Sequence, residues 1–168
     1  MRGCFPAAFP KRKAMNVDFM KQAIAMACQN IQKGGGPFAA LIVKGNEVIA
    51  RTGNSVTLDN DPTAHAEVNA IREACRKLGT FDLSGCEIYS SCEPCPMCLS
   101  AIYWAHIDRI YISGLRHEAA QAGFDDQFLY EEIGKDYPQR RIPVTVLLRE
   151  QGDEPFECWR KYEQKIAY

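Results

Sequence analysis

Two short stretches hold most of the side chains that could do chemistry. In SCEPCPMCLSAIYWA (91–105) three cysteines, Cys92, Cys95 and Cys98, recur at intervals of three, and PTAHAEVNA (62–70) holds one of the chain's three histidines. Proline favours the first turn of a helix, so the run after Pro94 predicts a helix that begins close to Cys95. Cys95 and Cys98 then share one face at the positive end of the helix dipole. Two thiolates are stabilised there but repel each other unless a cation lies between them, which points to a metal site or to reactive sulfur. His65, in the first turns of a helix opened by Asp61-Pro62, is the candidate third ligand, so that two helix starts face one ion. A His/Cys/Cys set leaves the fourth tetrahedral position open, as a hydrolytic zinc requires and a structural zinc does not.

Other readings of the same residues compete. Cys92, Cys95 and Cys98 also have the spacing of an iron-sulfur loop, and Cys92 as a fourth ligand would close a structural Cys₃His zinc. Cys4, Cys28, Cys75, Cys86 and Cys158 are scattered and read as small apolar fillers, while His106 and His117 read as surface or capping residues. Glu67 lies two residues after His65, and neighbours two apart on an ideal helix point in nearly opposite directions, so spacing alone does not bring Glu67 into the site.

The elements that must hold these residues follow from pattern and punctuation. Asn16 caps a helix in which Val17, Met20, Ile24, Ala27 and Ile31 recur at helical spacing, and Gly34, Gly35 and Gly36 end it. FAALIVKGNEVIA predicts a hairpin turning at Lys44-Gly45-Asn46-Glu47. A helix from Asp61-Pro62 closes at Gly79, and CEIYSS, DRIYISG and IPVTVLLR predict three more strands separated by helical segments. PFECWRKYEQKIA predicts a last helix. Strands separated by helices need crossover connections, so the expected architecture is a mixed sheet with helices on both faces.

Composition narrows the class. At 168 residues, 46% apolar and 24% charged, the chain reads as one ordinary globular domain, not a disordered or fibrous one. No apolar run approaches a membrane span, and the N-terminus lacks the apolar core of an export signal, so the expectation is a cytoplasmic protein with no membrane partner. MRGCFPAAFPKRKA contributes four basic residues and no acidic one, which predicts a flexible basic leader over 1–14 ahead of a domain over 15–168. That domain holds sixteen basic against twenty-one acidic side chains. Such a balance lacks the basic footprint of a nucleic-acid partner.

His-x-Glu followed by Pro-Cys-x-x-Cys is the joint signature of the zinc nucleobase deaminases. With GGPFAA (35–40), NDPTAHAEVNAIREAC (60–75), AGFDDQF (122–128) and a terminal Tyr168, the sequence from about Asn16 onward resembles the cytidine deaminase-like superfamily and, within it, the small bacterial-type guanine deaminases. The resemblance implies a three-layer α/β/α sandwich around a five-stranded mixed sheet. It implies one zinc per chain on His65, Cys95 and Cys98, with Glu67 as proton carrier, and hydrolytic conversion of guanine to xanthine and ammonia. It also implies a purine pocket lined by Phe38, Asn54, Trp104, Asp126 and Tyr168, a C-terminal helix containing Trp159 as a cover, and a homodimer. Guanosine, cytidine, cytosine and tRNA adenosine remain alternative substrates for the same chemistry. On spacing alone Asp126 is equally a helix cap, Asn54 a turn residue, and Phe38 and Trp104 core aromatics.

Overall fold

The computed structural model describes residues 16–167, and the basic leader over 1–14 and the Tyr168 assignment fall outside them. The chain divides after Asp125 into two compact units.

In the first unit, helix α1 (Val17–Gln32) is capped as expected, with the Asn16 side chain accepting the Asp18 N–H at 3.0 Å. Of the expected repeat, Ala27 is buried and Met20 packs against the core, whereas Val17, Ile24 and Ile31 are exposed and Phe19, Ala23 and Asn30 take the other inward positions. Alanines let the helix backbone come close to the sheet, and the Phe19 ring meets Tyr89 edge-on at 5.4 Å. Larger aliphatic side chains would hold the helix away, so they flank the contact.

Strands β1 (Ala39–Lys44) and β2 (Glu47–Gly53) form the hairpin, which turns through Gly45 and Asn46 with Gly45 at φ +67°. The one-turn helix α2 (Val56–Asp59) and helix α3 (Ala66–Leu78) follow, and α3 stops where Gly79 adopts φ +66°. Strand β3 (Cys86–Cys92), helix α4 (Pro96–Trp104), strand β4 (Arg109–Gly114) and helix α5 (Arg116–Gln121) complete the unit. The sheet order is β2-β1-β3-β4, with β1 antiparallel to both neighbours and β3 parallel to β4 across the α4 crossover.

The central strands are apolar on both faces because both faces are covered. In β1, Leu41 and Val43 pack with Phe19, Ala23 and Tyr89 under α1. Ala40 and Ile42 pack with Ala66, Ala70, Ala74, Ile88 and Ile102 on the side of α3 and α4. These two cores make the α/β/α layering. The even-numbered positions of β3 therefore look toward α3, which places Ser90 on the side of the candidate site.

The second unit contains α6 (Gln127–Ile133), two 3₁₀ turns at Tyr137–Gln139 and Arg149–Gln151, and α7 (Glu154–Lys161). Among the described residues the sheet has four strands, not five: residues 142–148, expected as the fifth, join no ladder. Ile142, Val144, Val146, Leu147 and Leu148 are all exposed. Branched apolar residues favour a strand only when a neighbouring edge and a covering layer receive them. No helix among the described residues is long and apolar enough to cross a membrane.

Candidate metal centre and its rim

Three ligand-type side chains converge where two helices begin. His65 is the N-cap of α3, in extended conformation at φ −68°, ψ 154°, and Cys95 is the N-cap of α4 at φ −63°, ψ 168°. Pro96 is the first residue of α4, where its fixed φ suits the helix and its missing N–H costs nothing, and Cys98 is the third. His65 thus precedes α3 and does not lie within its first turns. The helical-wheel objection to pairing it with Glu67 fails for that reason, because only Glu67 obeys the helix periodicity.

The His65 Nδ1 atom lies 3.6 Å from Cys95 Sγ and 3.4 Å from Cys98 Sγ. One ligand atom from each of the three residues falls within 4.8 Å of the others. Bond lengths of about 2.3 Å to sulfur and about 2.0–2.1 Å to nitrogen give a tetrahedral N···S edge of about 3.6 Å. The donor set and its spacing therefore fit zinc. Cys92 is not in this group; its Sγ faces the Leu115 carbonyl at 3.9 Å. A fourth sulfur ligand and a three-cysteine cluster are both unsupported by that placement.

The protons of the triad are coupled. The hydrogen bond from Cys98, together with His65, holds the Cys95 thiol down to about 4, so Cys95 is the thiolate. The same bond to Cys95, burial and the nearby Glu67 push the Cys98 thiol up. His65 is pushed up by its hydrogen bond to Cys95. A metal ion takes the place of these shared protons, which is why such sites release protons on loading.

Glu67 is 6% exposed, and Ser90 donates its hydroxyl to Glu67 Oε1 at 2.9 Å from a position only 2% exposed. Cys98 Sγ lies 3.5 Å from the other oxygen, Oε2. Desolvation pushes the Glu67 carboxyl up, the direction expected of a group that both accepts and returns a proton near neutral pH. Ser90 was not legible as a site residue, since its only signal is a hydroxyl at an inward position of an otherwise apolar strand.

Phe38 and Asn54 sit on adjoining strand ends, joined by the Asn54 N–H to the Phe38 carbonyl at 3.0 Å. Phe38 packs edge-on against Phe124 at 5.0 Å. Asn54 Oδ1 accepts the Val56 N–H at 3.3 Å, which orients its amide. The segment carrying Asn54 is tied to the start of α3. Thr52 donates to the Ala66 carbonyl at 2.6 Å, the Ser55 N–H reaches the Ala64 carbonyl at 2.9 Å, and Asn69 Nδ2 contacts the Gly53 carbonyl at 3.2 Å.

Trp104 and Asp126 belong to other stretches of the chain. Trp104 ends α4, six residues beyond Cys98 and so about 9 Å further along the axis, and is 66% exposed. Asp126 is the N-cap position of α6 in the second unit, with no side-chain cap bond, and Trp159 lies on α7 of that unit.

Residues 14–114 match the sequence profile of the cytidine and deoxycytidylate deaminase zinc-binding region. The guanine deaminase of Bacillus subtilis is 48% identical over 151 residues, which is 89% of this chain and 97% of that protein. A tRNA-specific adenosine deaminase of Aquifex aeolicus is 46% identical over 97 residues, 58% of this chain and 64% of its own. Among solved structures, the Bacillus subtilis guanine deaminase superposes with a TM-score of 0.89 over 92% of this chain and 99% of that chain. A guanine deaminase from Nitrosomonas europaea does so with a TM-score of 0.63 at 31% identity, covering 70% and 68%.

Proposed function

The chain belongs to the cytidine and deoxycytidylate deaminase family, and from that membership we infer a zinc-dependent hydrolase that converts guanine and water to xanthine and ammonia. One observation carries the choice of guanine: over nearly the whole chain the identity is 48% to a guanine deaminase, against 35% and 37% to tRNA-specific adenosine deaminases that align over similar lengths. The charge balance also disfavours tRNA. Residues 15–168 hold sixteen basic and twenty-one acidic side chains, where a polyphosphate ligand calls for clustered cations.

Zinc on His65, Cys95 and Cys98 supplies the Lewis acidity that makes water nucleophilic near neutral pH. Every other part of the reaction falls to the protein's own groups. Glu67, fixed at Oε1 by Ser90, takes the two protons of the attacking water in turn, passing the first to the ring nitrogen beside carbon 2 and the second to the departing amine. With Oδ1 taken by the Val56 N–H, Asn54 Nδ2 donates to an acceptor on the purine edge. Phe38 supplies an apolar wall. Asp126, Trp104 and Tyr168 complete the pocket in this reading, the Asp126 carboxylate accepting from the ring N–H and the exocyclic amine that guanine presents.

The working unit in this reading is a homodimer. Tyr103, Trp104, Leu147, Leu148 and Phe156 are all exposed, side chains that a second copy would cover in this reading. A monomeric mass in light scattering would contradict it. Free thiols throughout the described chain suit a reducing, cytoplasmic setting.

The test of substrate is ammonia release from guanine, guanosine, cytosine, cytidine and adenine by the zinc-loaded protein. Turnover of guanine well above the others supports the reading. Absence of guanine turnover, with another base consumed, overturns it.

A further inference from the structure

We propose that Asn30 is a positioning residue for the base-binding rim, holding from the far end of α1 the two main-chain carbonyls that place Asn54 and Phe38. Asn30 is the last inward residue of α1, after Phe19, Ala23 and Ala27, and the one polar member of that face. Its Nδ2 donates to the Asn54 carbonyl at 2.7 Å and to the Gly36 carbonyl at 2.8 Å, so both amide protons are used. The Gly36 carbonyl also receives the Phe38 N–H at 2.9 Å. One side chain therefore clamps both strand ends that carry the rim.

The surrounding glycines show how closely the rim is fitted to this amide. A Cβ on Gly35 would lie 2.3 Å from Asn30 Nδ2 and 2.4 Å from the Asn54 carbonyl oxygen. A Cβ on Gly53 would lie 2.2 Å from Asn30 Oδ1. A Cβ on Gly36 would lie 3.1 Å from Asn54 Oδ1, the atom whose bond to Val56 sets the direction of the Asn54 amide. Gly35 and Gly53 thus leave the space that the Asn30 amide fills, and Gly36 leaves the space that the Asn54 amide fills. Asparagine alone combines two N–H donors with so short a stem: aspartate has no donor when ionised, serine has one, and glutamine is a methylene longer.

A buried polar side chain at a helix end could serve stability alone, and the distinction is whether its loss is felt through Asn54. The inference rests on the reading of Asn54 as a contact to the base. A displacement near 1 Å at a positioning group costs about 10²-fold in kcat/KM, so an effect between about 10- and 10²-fold is expected.

The experiment is a double-mutant cycle of Asn30→Ala and Asn54→Ala on the zinc-loaded protein, with zinc content, kcat and KM measured for guanine. The expected result is full zinc content in all variants and a loss on Asn30→Ala that falls mainly on KM. The double variant should be no more than about threefold worse than Asn54→Ala alone, since groups acting as one unit are not additive. Losses that multiply, or that fall on kcat and zinc content alike, overturn the proposal and leave the substrate reading standing. If Asn54→Ala changes nothing on any base the enzyme consumes, the reading of Asn54 and this proposal fall together. Asn30→Ser, which keeps one donor, runs the same cycle if the alanine variant does not fold, and its expected loss is intermediate.

Discussion

Replacing Ser90 by alanine removes one hydroxyl and tests whether Glu67 is held for proton transfer. Ser90 donates to Glu67 Oε1 at 2.9 Å, and both residues are almost wholly buried, so no bulk water stands ready to replace the bond. A hydrogen bond to a charged group contributes about 1.5–3 kcal/mol, and a carboxylate oxygen left unpaired in a dry site loses that orientation outright. At about 1.4 kcal/mol per tenfold, the loss in kcat should be about 10- to 150-fold if the bond is needed while Glu67 moves protons. The KM for guanine should change little, because Ser90 touches neither Phe38 nor Asn54 by a hydrogen bond. Steady-state kinetics of xanthine formation, with zinc content determined on the same samples, reads both quantities. Ser90→Thr keeps the hydroxyl and should recover most of the rate. A folded, zinc-replete Ser90→Ala enzyme with kcat within threefold of the parent would refute the reasoning, as would a threonine variant as slow as the alanine one.

Two further predictions concern other parts of the molecule. Glu67→Gln keeps the shape of the site and should retain zinc while activity falls 10²-fold or more, since the amide can carry no proton; full activity would remove Glu67 from the mechanism. Tyr89, under α1, is pushed up to about 12 by desolvation. Its unfolded phenol titrates near 10, so its contribution is fully present below about pH 10 and is lost as pH rises toward 12, by about 2–3 kcal/mol. Denaturant unfolding between pH 9 and 12 should show that loss, and Tyr89→Phe should flatten it; an equally steep variant would contradict the assignment.

How much of the site could be read from the sequence depended on whether a residue's role was local. Cys95 and Cys98 were legible because proline marks a helix start within the motif itself, although Pro96 and not Pro94 takes the first helical position, and Asn16, Gly45 and Gly79 because caps and turns are set by adjacent residues. His65 was found but misplaced by a few residues: α3 begins at Ala66 and not at Asp61-Pro62, and its extended N-cap conformation, invisible to periodicity, is what sets it beside Glu67. The buried face of α1 was read only in part: Ala27 lies on it as expected, but close approach to the sheet selected Phe19 and Ala23 and left the large aliphatic Val17, Ile24 and Ile31 exposed. Ser90 and Asn30 escaped because each acts through partners that are 23 and 24 residues away, a separation no local pattern reports. Residues 142–148 have strand composition without a strand, because composition does not supply the neighbouring edge that a ladder needs.

The central claim is that His65, Cys95 and Cys98 hold one zinc and leave a corner open to water. X-ray absorption at the zinc edge of the purified, zinc-loaded protein tests it most directly. The expected result is one zinc per chain with two sulfur neighbours at about 2.3 Å and two nitrogen or oxygen neighbours at about 2.0–2.1 Å. Three sulfurs in the shell, or iron where zinc is expected, would contradict it.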